Sequence, residues 1–302
     1  MKLVKYIGES GERSGLLIEN AVFDLNDITK EYSWLSAENV SLENIVTGGD
    51  KAEEFLTRLS SFIKSDSDIR KRYSMDLASL KLGPPLRPNK CFSVGRNYSQ
   101  RISYVKPMLK SGDAALSGHG DDILIPKGIT KFHVCSELCI IISKRTKNAS
   151  IKEAESSIGA YTVGNDVGAI DILKLSRDLS STCKSFDGFT AIGPSVVLPS
   201  QIDPLNFELR LIINGQEKGV SNTNNATFNV FELVRDISTI ATLLPGDVIF
   251  TGAMDKDMEP LVNLGDIVEC HGEGIGTLRN QLKEADWSIP DSMIVAVSKG
   301  DT

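Results

Sequence analysis

Three side chains able to do chemistry stand two apart in the segment KFHVCSELCI: His133, Cys135 and Glu137. Alternate residues of an extended strand point to one face. A strand already regular at His133 would therefore set an imidazole, a thiolate and a carboxylate side by side, which is a donor set that zinc accepts. A lone histidine at the start of a strand is more often an ordinary surface or core side chain. Lys184, in KSFDGF, offers a fixed positive charge, a proton carrier if its pKa is lowered, or a plain salt bridge to the neighbouring Asp187. His119 lies in the glycine-rich stretch SGHGDD, and His271 follows a strand-like run near the C-terminal end with no expected role.

These residues must be positioned by a chain of 302 residues, 41% hydrophobic and 24% charged, enough for one large domain and a smaller one. Lysine and arginine number 33 against 40 aspartates and glutamates, a net charge of -7 that repels phosphate backbones and anionic membranes. Neither nucleic acid nor a membrane is an expected partner. The apolar runs 138–142 and 240–244 fall far short of the roughly 20 residues of a membrane span. The start MKLVKYIGES lacks the apolar stretch of a signal peptide, so a cytoplasmic protein is expected. Cys91, Cys135, Cys139, Cys183 and Cys270 are odd in number and scattered, which fits reduced thiols better than a disulfide framework.

Strand-like stretches at 3–7 and 16–25 precede a polar helical region around 42–63, which LGPPLRPNK closes. Short β-branched runs follow at 137–142, 160–163, 195–198, 209–213, 247–250 and 267–269, separated by glycine, asparagine and aspartate turns. Helices are expected near 170–179 and over 229–243, where Val230, Leu233, Val234, Ile237 and Ile240 recur at helical spacing. The pattern predicts an α+β fold, mainly β. Expected divisions are a small N-terminal domain at 1–82, a strand-rich catalytic domain at 83–285 and a tail at 286–302.

Four segments occur in one order: FSVGRNY (92–98), SELCIIISKRTKNAS with AYTVGNDVGAID (136–150 and 160–171), KSFDGFTAIGP (184–194), and LLPGDVIFTG with GIGTLRN (243–252 and 274–280). Each alone is common; together, over roughly residues 1–285, they resemble the fumarylacetoacetate hydrolase family. The resemblance implies a mixed β-sandwich or roll catalytic domain behind a small N-terminal domain, usually in homodimers. It implies small-molecule substrates, 2-oxo or 1,3-dioxo acids, whose enolate oxygen is gripped by Mg²⁺ or Mn²⁺. Such hard cations prefer oxygen ligands and act as Lewis acids. By the same resemblance Glu137 and Asp166 match metal carboxylates, Lys184 the site lysine, and Thr251 with Gly252 and Tyr98 the substrate contacts.

Several matched positions carry different chemistry. The first glutamate of the family's Glu-x-Glu pair is Cys135 here, so one metal carboxylate is missing. Three readings stay open: a site that works without metal, weak Mg²⁺ or Mn²⁺ binding through Glu137 and Asp166, or zinc on His133, Cys135, Glu137 and Asp166. Where hydrolytic members carry a water-activating His and Glu, this chain has Arg101 and Tyr104. Arginine stays protonated and cannot be a general base, but its forked donors suit a carboxylate or an oxyanion. His119 is the candidate substitute imidazole. Ile170 and Leu173 replace an arginine and a glutamine, making that wall greasier and favouring a larger or less charged ligand. Ala253-Met254-Asp255 likewise departs from the family's loop after the threonine.

The expected activity is that of an enzyme on an oxo acid or related enol, of the hydrolase, lyase, decarboxylase, isomerase or dehydratase type. Lys184 and Arg101 would manage charge while Glu137 or Asp166 moves protons. The alternative is a binding or structural protein that keeps the fold without turnover.

Overall fold

The computed structural model describes residues 1–9, 11–32, 35, 40–98, 102–253 and 261–299. Its centre is the strand Ser136–Ile142, buried at every position. Side chains there divide by parity: Leu138, Ile140 and Ile142 enter one core, Cys139 and Ile141 the other. A run of apolar residues without polar alternation is what a strand covered on both faces requires. The neighbouring Val248–Phe250 splits the same way, with Ile249 on one side and Val248 and Phe250 on the other.

These strands belong to a long sheet. It runs from Ser74–Asp76 through Ala21–Asp24, Gly11–Ile18, Lys2–Gly8, Thr190–Val197, Ile158–Asp166, Ser136–Ile142, Val248–Phe250 and Lys90–Val94 to Pro107–Ser111. One face packs against a five-stranded sheet, whose Leu209, Leu211, Val268, Cys270, Leu278 and Leu282 point into the first core. Helix Val230–Ile240 adds Val230, Leu233, Val234 and Ile237 to that core, at the spacing expected of an apolar helical stripe. Its start is fixed by a capping box between Asn229 and Glu232. The other face is covered by helices Leu42–Thr47 and Asp50–Ser65, through Leu42, Ile45, Val46, Leu56, Leu59 and Ile63. The α+β, mainly β, class read from the sequence is the class observed. No described helix is long and apolar enough to cross a membrane.

Three features position the site. Leu3 pairs with Val196, so the long sheet runs unbroken across the expected boundary at 82/83. The segment expected as a tail continues strand Gly276–Ser288 and ends in helix Asp291–Lys299, which lays Met293, Ile294 and Val297 against the first core. The helix expected over 170–179 is shorter: it spans Ile170–Leu175 and is broken by an extended Ser176, after which Arg177–Ser180 forms a 3-10 turn.

Candidate active site

A solvent-open cleft of about 1360 Å³ lies beside the ends of the central strands. Asp166 closes the strand Ile158–Asp166, and Glu137 is the second residue of its antiparallel neighbour Ser136–Ile142, paired across to Gly164. Ser93 comes from Lys90–Val94, and Lys110 from Pro107–Ser111, the strand paired with it. Lys184 ends a 3-10 turn at Thr182–Lys184. Strand ends and a short turn thus bring five polar side chains together at one place in an otherwise apolar interior.

Asp166 is the hub. Its Oδ1 accepts from Lys110 Nζ, which also donates to the carbonyl of Phe189 at 3.1 Å. Its Oδ2 accepts from Lys184 Nζ and, at 2.6 Å, from Ser93 Oγ. Burial alone would raise the Asp166 pKa, but the charges of Lys110 and Lys184 outweigh it and hold the carboxyl well below the usual range. Burial disfavours the ammonium of Lys184; Asp166 first, then Cys135 and Glu137, overcome that and keep it charged.

Glu137 is the opposite case. It is 2% exposed, and burial followed by the charge of Asp166 pushes its pKa well above the ordinary glutamate value. Lys184, the N–H of Gly252 and Lys110 oppose this without reversing it. Two lysines converge on the one carboxylate of Asp166, beside a Glu137 whose protonated form burial and Asp166 favour, an arrangement that favours positive charge at the floor.

The N–H that Glu137 accepts, from Gly252 at 2.7 Å, depends on the local backbone. Gly252 has φ of 92°, and a Cβ there would lie 2.9 Å from the carbonyl oxygen of Val94. Only glycine holds that position easily. Asn97 braces the turn: its Nδ2 donates to Thr251 O at 2.8 Å and Phe228 O at 3.0 Å, while its Oδ1 accepts from Phe228 N at 3.0 Å. Thr251 itself donates Oγ1 to Leu138 O at 2.9 Å.

His133 lines the cleft with its imidazole against Gly168, where a Cβ would stand 2.2 Å from Nε2. Burial, with Lys184, pushes its pKa down to about 3, so the ring is neutral. The alternation needed for the zinc set is not present. His133 ends the strand Phe132–His133, which pairs with Gly168–Ala169 and Leu261–Val262, and the next strand begins only at Ser136. Cys135 falls in the break, buried in the first core, with its carbonyl accepting from Asp166 N at 2.9 Å.

Of the residues singled out from the sequence, Glu137, Asp166, Lys184, Ile170 and Leu173 line the cleft. Thr251, Gly252 and Tyr98 lie behind the floor; burial first, and then Glu137 once it ionises, hold the Tyr98 hydroxyl above its usual pKa. Tyr104 stands at the mouth, 62% exposed, with Lys106 Nζ 5.2 Å from its ring centroid. His119 is turned away, accepting from Arg279 N at 3.3 Å. Arg101, Met254 and Asp255 lie outside the described residues. Lys184 pairs with Asp166 rather than with Asp187. Ser93 and Lys110 were not singled out. Ser93 sits inside the FSVGRNY motif, while nothing in PMLKS marks its lysine as buried.

The family pattern for the fumarylacetoacetate hydrolase C-terminal region matches residues 90–283, which hold every cleft residue just described. The chain belongs to the fumarylacetoacetate hydrolase family. A fumarylacetoacetate hydrolase domain-containing protein 2 homolog of Dictyostelium discoideum is 30% identical over 94% of this chain and 97% of its own length. The bovine mitochondrial oxaloacetate tautomerase FAHD2A is 33% identical over 67% of this chain and 68% of its own. Maleylpyruvate hydrolase from Sphingobium sp. SYK-6, solved with manganese(II) and pyruvate, shares the fold at a TM-score of 0.74 and 21% identity, over 95% of this chain and 100% of that one. Two of these relatives carry the names of enzymes, one a tautomerase and one a hydrolase.

The divalent metal that family resemblance implies can be tested against the donors of this fumarylacetoacetate hydrolase homologue. Both oxygens of Asp166 are occupied by lysine, and one of Glu137 by a backbone N–H. Among the described residues no group of three histidine, cysteine, aspartate or glutamate side chains converges as a metal cradle. Two ammonium groups at the same spot would repel a dication. The residues present do not fit the family's metal.

Proposed function

We propose that this chain is a tautomerase-type isomerase, moving a proton on the carbon beside the carbonyl of a 2-oxo acid and so interconverting keto and enol forms. The observation that carries the reading is Glu137, a buried carboxyl at the floor of an open cleft, its pKa raised by burial, beside a carboxylate clamped by two lysines. A carboxyl with a raised pKa is a proton donor at neutral pH.

The positive charge favoured at the floor suits an enolate. The enol gives its O–H proton to water on binding, and Lys184 holds the resulting oxyanion. Glu137 then delivers its proton to carbon, the carbonyl forms, and water returns a proton to Glu137. One proton leaves oxygen and one arrives at carbon, so the step balances without a metal or a co-reactant. The bovine relative named an oxaloacetate tautomerase supports this choice among the chemistries of the family.

The test follows the decay of enol-oxaloacetate absorbance. Glu137→Gln keeps an oxygen for the Gly252 N–H but carries no proton to give; the rate should fall about 10²- to 10⁴-fold. EDTA treatment should leave the wild type unchanged. Activity extinguished by EDTA and restored by Mn²⁺ would overturn the reading, as would a wild type no faster than Glu137→Gln.

A further inference from the structure

We propose that a second cavity, separated from the cleft by the strand Phe132–His133, binds a zwitterionic α-amino acid with an apolar side chain, and that its occupancy is transmitted to the cleft through that strand.

This cavity holds about 490 Å³, within the range of small-ligand pockets. Its floor is made by Ile125, Ile129, Phe132 and Val262, all of them buried members of the first core. Leu264 stands at its mouth, 46% exposed. Apolar walls of this kind favour a ligand with a hydrocarbon body. Two opposite charges share the rim: Lys127, which ends the strand Asp122–Lys127, and Glu284 in the strand Gly276–Ser288. Glu284 pairs with Ile125, and Lys127 lies two residues further along, so the two are diagonal neighbours about 8 Å apart at their Cα atoms. Both side chains are exposed, and among the described residues neither is ion-paired with the other or with a third group. A plain acid entering the cavity would meet the charge of Glu284, and a plain amine that of Lys127. A ligand that carries carboxylate and ammonium on one carbon gives each its counter-charge.

Successive residues of a strand face opposite ways. Phe132 accordingly lines the second cavity, and its neighbour His133 lines the cleft. The imidazole has little slack, because it lies against Gly168 where not even a Cβ would fit. A second tie runs through Asp171, whose Oδ2 accepts from Thr130 N at 2.6 Å, Thr130 Oγ1 at 2.8 Å and Lys131 N at 2.7 Å. Thr130 lines the second cavity, while Asp171 belongs to the helix Ile170–Leu175, whose Ile170 and Leu173 line the cleft. Close packing passes a displacement on rather than absorbing it. A ligand that shifts Phe132 and Thr130 therefore shifts an imidazole and a wall of the cleft together.

Calorimetric titration of the intact protein with L-phenylalanine, N-acetyl-L-phenylalanine and phenethylamine tests the site. Phenylalanine should bind once per chain, and the two analogues, each lacking one charge, at least about tenfold more weakly. Lys127→Gln and Glu284→Gln, both at exposed positions, should each weaken phenylalanine binding by at least about tenfold. The chain has three histidines, so the imidazole signal of His133 can be assigned in NMR spectra by elimination with His119→Gln and His271→Gln. That signal should move when phenylalanine is added to the wild type and stay in place in Glu284→Gln. Absence of binding, the result expected if a second copy of the chain covers the cavity, would overturn the proposal. So would binding that survives both substitutions, which would put the amino acid in the cleft instead, or a His133 signal that does not respond to saturating phenylalanine.

Discussion

Two buried aspartates in this molecule are each saturated with hydrogen bonds, and they do different things. Asp24 accepts from Tyr6 at 2.6 Å, from Arg13 at 2.7 and 2.6 Å, and from the N–H of Asp27 at 2.8 Å, capping the helix Leu25–Glu31. Its one guanidinium is shared with Asp27, so the cluster has no positive charge to spare, and it borders no described cleft. Asp166 has two ammonium groups to itself and stands at the floor of one. Saturation alone therefore marks neither structure nor function. An excess of charge facing open space does, because it is neutralised only when something binds.

That contrast can be broken in three ways. Asp166→Asn would leave Lys110 and Lys184 buried without their counter-charge, and chemical denaturation should show a loss of about 3 to 5 kcal/mol together with loss of turnover. Asp24→Asn should cost less, about 1 to 2 kcal/mol, because Arg13 is partly exposed and can turn to water. Enol-oxaloacetate turnover should be retained in that variant; a parallel loss of activity would erase the distinction between the two clusters.

The smallest effect is a slope. The folded pKa of Glu137 lies above its unfolded value, so its contribution to stability is full below the ordinary carboxylate range and declines as pH rises toward the folded pKa. Asp24 and Asp166 are depressed, so their contributions are present above about pH 4 and vanish in acid. Between about pH 5 and 8 the Tm of the wild type should fall more steeply than that of Glu137→Gln. Parallel profiles would show that Glu137 is ionised in the folded protein.

The sequence made the scaffold readable where the signal is local. Strand Ser136–Ile142 announces itself as an unbroken apolar run, and helix Val230–Ile240 by its spacing. The departures at Cys135, Ile170 and Leu173 were equally visible as residue types. What was hidden depends on pairing between distant segments. The strand at His133 ends early because Phe132–His133 pairs with Gly168–Ala169 and Leu261–Val262, away from the strand that follows. Lys110 is committed to a carboxylate 56 residues away, and no pattern in its own neighbourhood reports that. Ser93 lay within a motif, but a serine acquires meaning only once Asp166 is beside it. The break at Ser176, which sets Arg177 at the mouth, is likewise absent from the helical periodicity.

The unbroken pairing of Leu3 with Val196 bears on how the chain can be handled. Cutting at residue 82 would strip Thr190–Val197 of a neighbour and uncover the face formed by Cys139, Ile141, Val248 and Phe250. A new sheet edge beside an uncovered apolar surface invites self-association. The first 82 residues are thus the wall against which the catalytic strands are built, and the isolated remainder should precipitate rather than turn over substrate.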